Sequence, residues 1–372
     1  MVAGSTRSTR LLSKGRAINQ QRTTNNLVIG AGLAGCSLAW RFQQAGQPFH
    51  MVGSSHLPSA AKVAAGIINP VTGRWMTKSW RFDDFAPEAA RFYTEIEREF
   101  SVELYHALPA TRFCLNADDA KRARRRSRNP RYAKVLGEYE EPDTESALFK
   151  NAHGNFPIKG AAYVDLPLFV ETLRTHFQAG GHYEDRIFEH QKLRPSEAGW
   201  TYEGRCYEKV LFCEGAALQE NPWFRDLPLT PAKGETLLCR SEGLQLKEQL
   251  YHHGKWLLPY PDGTFRIGAT YDEDDRTPDP TDAAKEQLSE AFEAMTREPH
   301  ELRIIDQPAG IRPSTRDARP LLGAHPTEPG LYIFNGLGSK GASLAPTLSR
   351  ELTDFIFNGS PLDPETNIQR FS

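Results

Sequence analysis

NLVIGAGLAGCSLAWRFQQAGQPFHMVG, residues 26–53, decides the fold. LVIG is a short apolar run suited to a buried strand. GAGLAG follows and places Gly30, Gly32 and Gly35 in a G-x-G-x-x-G pattern, with Ala31, Leu33 and Ala34 between them. CSLAWRFQQAG then reads as a helix that stops at Gly46, where a C-terminal glycine is expected. PFHMVG supplies a second strand. The whole is a β-α-β unit of roughly 30 residues, the context in which this glycine pattern binds a dinucleotide. Gly30 permits the tight turn, Gly32 lets backbone approach a pyrophosphate, and Gly35 lets helix and strand pack closely. One departure stands out. The acid expected about 20 residues on, to hold a ribose hydroxyl, falls near Gly53. Here the strand runs into VGSSH, so Ser54, Ser55 or His56 takes the ribose, or that contact is missing.

A second glycine loop closes the chain. NGLGSKGASLAP, residues 335–346, carries Gly336, Leu337, Gly338, Ser339, Lys340 and Gly341 just ahead of an apolar helical pattern. Leu348, Leu352, Phe355 and Ile356 fall on one face of that helix. Free N–H groups at a helix start attract anions, so this loop is either a second phosphate site or a second contact to the same cofactor. KVLFCEGAAL, residues 209–218, reads as another strand ending in a glycine turn at Gly215. The block from residue 231 to residue 274 reads as strands joined by turns, with PDG (261–263) as a hairpin signal. HYEDRIFEHQKL (182–193) and GWTYEGRCY (199–207) also read as strands. Helical patterns lie at 87–100, at 166–179 with Asp165 as N-cap, and at 282–295.

The bulk numbers fit a globular enzyme. The 372 residues are 39% hydrophobic and 25% charged, with a net charge of −2. No apolar run is long enough to span a bilayer, and nothing in the charge balance asks for nucleic acid. Five cysteines without CxxC spacing read as free thiols of a reducing cytoplasm and give no metal site. The basic N-terminal segment, residues 1–25, lacks the apolar core of a secretory signal and reads as a disordered tail.

Four blocks together resemble the FAD-dependent D-amino-acid oxidase superfamily, which includes glycine oxidase and sarcosine oxidase. They are GAGLAG; AAGIINP with Ala65, Gly66 and Ile67; KVLFCEGAAL; and AGIRPSTRDARPLLG followed by LYIFNGLGSKGASLAP. TRDARPLLG and GLGSKG also resemble the FAD domain of the bifunctional tRNA methylaminomethyl-uridine modification protein. The resemblance implies an α/β (α+β composite) chain: a Rossmann-like FAD-binding domain at 26–75, 155–230 and 305–372, interleaved with an antiparallel-sheet substrate domain at 76–154 and 231–304. It implies noncovalent FAD, because no cysteine sits near the GIRP segment.

It also implies roles. Arg312 in GIRP would pair with a substrate carboxylate, for which a permanently charged planar guanidinium is suited; the alternative is a structural ion pair with an acid such as Asp317. Lys340 would face the flavin edge that gains negative charge on reduction. Tyr251, His253 and Trp256 fall where glycine oxidase carries substrate-site residues, with a tryptophan where tyrosine is expected. Arg74 and Lys78 are either further anion contacts or surface cations. Arg316 and Arg319 read as structural partners. The reaction implied is hydride transfer from an amine to flavin, followed by imine hydrolysis and flavin reoxidation.

One further segment concerns the substrate. KRARRRSRNPRYAK, residues 121–134, holds eight basic residues and no acid. It is a solvated face, or Lys121, Arg122, Arg124, Arg125, Arg126, Arg128 and Arg131 contact RNA phosphates. Two enzyme readings therefore stand. One is an oxidase of glycine, an N-substituted glycine or a D-amino acid. The other is a tRNA wobble-uridine carboxymethylaminomethyl-processing oxidase. A noncatalytic flavin-binding module is the third reading.

Overall fold

The computed structural model describes Met1 and residues 26–142 and 148–371. Residues 2–25, and with them the reading of a disordered tail, lie outside the described residues. The first strand (β1, Asn26–Ile29), helix (α1, Leu33–Gln44) and second strand (β2, Phe49–Gly53) form the expected unit. Both strands are buried along their whole length, as parallel strands covered on both faces must be. Then come α2 (Phe82–Phe100), β3 (Ala110–Phe113), α3 (Ala117–Ser127), β4 (Asn155–Ile158) and α4 (Leu166–Ala179). Asp165 caps α4 by accepting the Leu168 N–H at 3.0 Å. Strands β5 (Tyr183–Asp185) and β6 (Lys209–Phe212) follow, then β7 (Ala232–Arg240), β8 (Leu250–His253), β9 (Lys255–Pro259) and β10 (Phe265–Gly268). The chain ends with α5 (Asp282–Met295), β11 (Arg303–Asp306), β12 (Ala309–Arg312), β13 (Leu321–Ala324), β14 (Leu331–Asn335) and α6 (Gly341–Asn358).

Two large sheets organise these elements. The nucleotide sheet has the order β5-β2-β1-β6-β14-β13. Its strands run parallel except β13, which returns antiparallel along β14. The second sheet has the order β11-β7-β10-β9-β8-β3-β4, with β12 also paired to β7. Its pairings are antiparallel apart from β3 with β8. The turn at 261–263 joins β9 to β10 as read, closed by Gly263 N–H to Tyr260 O at 3.1 Å.

Several boundaries differ from the sequence reading. β4 lies in the second sheet although residue 155 was placed at the start of a nucleotide-domain segment. β12, on the far side of another such boundary, pairs with β7. α2 begins at Phe82, upstream of Pro87, because Phe82 and Phe85 have an apolar core to enter. Residues 183–192 form only a three-residue strand before a 3-10 turn at His190–Lys192.

A charged knot explains why α2 joins the nucleotide-domain helices. Its Glu88, with a side chain 8% exposed, receives Arg41 of α1 at 2.5 Å, Arg350 of α6 at 3.0 Å and Arg91 at 2.7 Å. Arg41 also donates to the Pro346 carbonyl at 3.1 Å, and the Tyr93 hydroxyl donates to the Ala342 carbonyl at 3.0 Å. Removing one member of a buried pair strands the other charge in low dielectric. Glu88→Ala is therefore expected to destabilise the chain by about 3 kcal/mol, read as a lower urea midpoint with an unchanged slope.

Candidate active site

The first glycine loop is fixed by sterics. Gly30 has φ +97°, and a Cβ there would stand 2.4 Å from the Cys213 carbonyl oxygen. At Gly35 a Cβ would stand 1.8 Å from the Gly30 carbonyl oxygen. Helix α1 can start here only because both residues lack side chains. At Gly32 the nearest atom to such a Cβ is the Ser59 hydroxyl at 3.5 Å, so that backbone is open to a ligand. Arg174 of α4 donates its Nε to the Ala31 carbonyl at 2.7 Å and brings a cation to the loop.

A cleft runs from the end of this loop to the second sheet. Leu33 lines one end, with Ala65, Gly66 and Ile67 beside it. Gly66 sits at φ +63°, and a Cβ there would stand 1.9 Å from the Val164 carbonyl oxygen. Leu337, Gly338, Ser339 and Gly341 of the closing loop form another wall. Gly234, Thr236, Trp256 and Arg312 form the wall that faces them. Leu33 at the end of the first glycine loop and residues of the second thus border one cleft, a setting that suits FAD. Gly215, at φ +57°, turns the chain after β6, and its carbonyl accepts the Asn335 amide at 3.0 Å.

Arg312 is the titratable group in the lining. Its Nη1 donates to the Lys233 carbonyl and its Nη2 to the Thr270 carbonyl, both at 3.1 Å. The Tyr271 ring lies 5.6 Å away and is 59% exposed. No carboxylate pairs with Arg312 among the described residues; Asp317, the acid considered for it, takes Arg370 at 2.8 Å. Burial pulls the Arg312 guanidinium below its ordinary range, yet a guanidinium stays charged. Gly234 makes room for it: a Cβ there would stand 1.8 Å from Nη2.

The aromatic segment separates. Trp256 lines the cleft, while Tyr251 and His253 occupy the opposite sheet face. Of the three candidates only Trp256 therefore lines the cleft, and the cause is strand alternation. Tyr251 instead accepts the Lys247 N–H at 3.1 Å and packs 4.6 Å from Phe149. His253 packs 5.6 Å from Phe113, and its Nε2 meets the Lys150 carbonyl at 3.1 Å. On Trp256's own face lies a registered row: Thr236, Gly268, Trp256, His252 and Arg112. Burial, then the Arg112 cation, pushes His252 down to about 3, so its ring is neutral at working pH.

Lys340 stands beside the cleft rather than among its lining residues, half-buried. Burial lowers its ammonium first, and Arg319 adds to this. Ser54 accepts the His56 N–H at 3.2 Å. Lys78 pairs with Asp83 at 2.5 Å, and Arg319 pairs with Glu365 at 2.9 Å, both away from the cleft. None of the five cysteines lines it. The basic run splits as well. Arg122 pairs with Asp119, Arg124 with Glu141, and Arg126 lies over Tyr132. Lys121, Arg125, Arg128 and Arg131 stay exposed, with no ion pair among the described residues. Sequence reasoning missed Gly234, Arg174 and Asp185. Their roles come from which strand or helix lies next to the site, and no local motif marks them.

Fold and cleft together define a flavin-dinucleotide oxidoreductase. The chain belongs to the FAD dependent oxidoreductase family, whose model matches residues 26–355. It is similar to the glycine oxidase of Pseudomonas aeruginosa, 28% identical over 56% of this chain, and spans about three fifths (59%) of that enzyme. It is also similar to the tRNA 5-methylaminomethyl-2-thiouridine biosynthesis bifunctional protein MnmC of Marinobacter nauticus, 26% identical over 89% of this chain and 55% of that protein. The crystal structure of glycine oxidase from Geobacillus kaustophilus shares the fold, with a TM-score of 0.77 at 18% identity over 91% of this chain and 96% of that one. No helix among the described residues is long and apolar enough to cross a membrane.

Because the Arg312 guanidinium occupies the space of a missing Cβ, Gly234→Ala is expected to displace it while leaving the flavin-binding loops alone. The flavin absorbance spectrum should persist while affinity for a small carboxylate such as acetate falls about tenfold or more.

Proposed function

We propose that the chain oxidises the carbon–nitrogen bond of an amino acid or N-substituted glycine, gripping its carboxylate through Arg312. The observation that carries this reading is a largely buried guanidinium in the cleft with no carboxylate partner among the described residues. A buried charge demands a counter-charge, and a substrate carboxylate supplies one with bidentate geometry. FAD, when held by Leu33, residues 65–67 and the closing loop, would supply the oxidising power as the hydride acceptor. The protein's share is binding and exclusion of water. Arg312 fixes the acid end, the Trp256 ring gives an apolar wall, and the α6 start brings N–H groups to the cleft. Lys340, beside that start, would add positive charge at that end of the cleft. No carboxylate or imidazole lines the cleft among the described residues, so the amine is oxidised from its neutral form.

Arg312→Ala is expected to lower kcat/KM about hundredfold or more for glycine or sarcosine, measured by anaerobic bleaching of the flavin. Unchanged substrate affinity in that variant would sink the carboxylate role. The pH profile of kcat/KM should rise with the substrate amine's own ionisation. It should show no histidine step, because His252 is held neutral.

A second reading makes the N-substituted glycine part of tRNA, as in the relative named for tRNA modification. What favours it is Trp75, 57% exposed, with the guanidiniums of Arg74 and Arg122 each 4.9 Å from its ring. The Gly73 carbonyl of the same turn accepts Arg112 at 2.9 Å, so the turn is tied to the row that carries Trp256. Strands are about 4.8 Å apart, which puts Arg112 two strands, roughly 10 Å, from Trp256. An exposed indole flanked by guanidiniums is a stacking platform for unpaired bases. Trp75→Ala with Lys121, Arg125, Arg128 and Arg131 neutralised should leave small-amine turnover intact and abolish turnover of hypomodified tRNA. Bleaching by tRNA in that variant at the wild-type rate would refute this second reading.

A further inference from the structure

Gly53 cannot carry the acid that the dinucleotide pattern calls for. A Cβ there would stand 2.6 Å from the Ala31 backbone nitrogen, so β2 must end in glycine. The neighbouring strand β5 runs parallel to β2 and places Asp185 in register with Gly53. The Asp185 carboxylate is exposed, accepts the Ser55 N–H at 2.6 Å and also accepts the Ser55 hydroxyl. The Tyr183 hydroxyl donates to the Gly53 carbonyl at 2.8 Å and ties the two strand ends together. Two residues past Asp185, Ile187 is 58% exposed at the same edge.

We propose that Asp185, acting with Ser55, binds the adenosine ribose hydroxyls of FAD, the carboxylate having moved one strand outward from β2 to β5. The proposal rests on the FAD reading of the cleft. Two features of the pair suit a diol. Ser55 gives its proton to Asp185, which leaves the Ser55 oxygen lone pairs for a ribose hydroxyl to donate to. A carboxylate has about four acceptor positions, so Asp185 retains capacity beyond its two contacts to Ser55. Burial works to raise the Asp185 carboxyl, but the Ser55 contacts outweigh it and hold the group below its usual range, an acceptor at neutral pH. Ile187 offers the apolar surface that an adenine ring beside that ribose would cover.

The test is a comparison of two flavins on the full chain freed of its cofactor, followed by flavin fluorescence. One is FAD and the other an FAD analogue whose adenosine ribose lacks both hydroxyls. The wild-type chain should prefer FAD by about ten- to hundredfold. Asp185→Ala should bring that preference close to unity, and Ser55→Ala should reduce it. A preference ratio in Asp185→Ala equal to wild type would overturn the proposal, whatever happens to absolute affinity. Should Asp185→Ala not fold, the same ratio in Ser55→Ala and Asp185→Asn decides. A chain that binds neither flavin would refute the cofactor reading instead, a different and recognisable outcome.

Discussion

A side chain at Gly35 would stand 1.8 Å from the Gly30 carbonyl oxygen, and one at Gly30 would stand 2.4 Å from the Cys213 carbonyl oxygen. That double contact, helix on turn and turn on strand, is the constraint on which the rest of the cleft depends. It sets where α1 begins, and therefore where its free N–H groups sit. It locks β6 against β1, so the Gly215 turn opens at the same edge. It also brings Leu33 into the cleft, within reach of the closing loop. The second sheet reaches the cleft through its paired strands β7 and β12.

The position of Arg312 follows from that pairing. β12 crosses from the nucleotide domain to pair with β7, which puts Arg312 opposite Ala232 and beside Gly234. The guanidinium lies flat where Gly234 has no side chain and gives its protons to backbone carbonyls. Carbonyl dipoles fix a cation's place without cancelling its charge. On the proposed reading the remaining counter-charge would come from the substrate in the cleft. This separates Arg312 from Arg41, Arg81 and Arg319, whose carboxylate partners lie within the chain.

Local patterns in the sequence determine the nucleotide unit. G-x-G-x-x-G with its flanking strand and helix, the Asp165 cap, the hairpin at 261–263 and the apolar face of α6 each depend on neighbours a few residues away. The site was legible where its residues come from glycine loops that line the cleft, as at Gly66 and at Leu337, Gly338, Ser339 and Gly341. It was not legible where strand alternation decides. Tyr251, His252 and His253 look alike in sequence, and a two-residue period alone sends the first and third away from Trp256. Domain boundaries escaped for a related reason. α2 is polar enough to read as part of a substrate domain, but its Glu88 meets arginines of α1 and α6 that lie far away in the chain.

The two glycine loops at opposite ends of the chain prove to be neighbours. A Cβ at Gly341 would stand 2.7 Å from Leu33 Cδ2, so the start of α6 and the start of α1 pack directly against each other. Two helix N-termini side by side present two sets of free N–H groups to one cavity, and like partial charges repel unless a ligand carries negative charge between them. A flavin dinucleotide meets that demand twice, with its pyrophosphate and with the ring that becomes anionic on reduction. The first charge is permanent and would be matched by the α1 loop and Arg174. On the proposed reading the second would exist only in the reduced state, and positive potential from the α6 end and Lys340 would favour that state. On that reading the closing loop would bear on redox potential, and the opening loop on affinity.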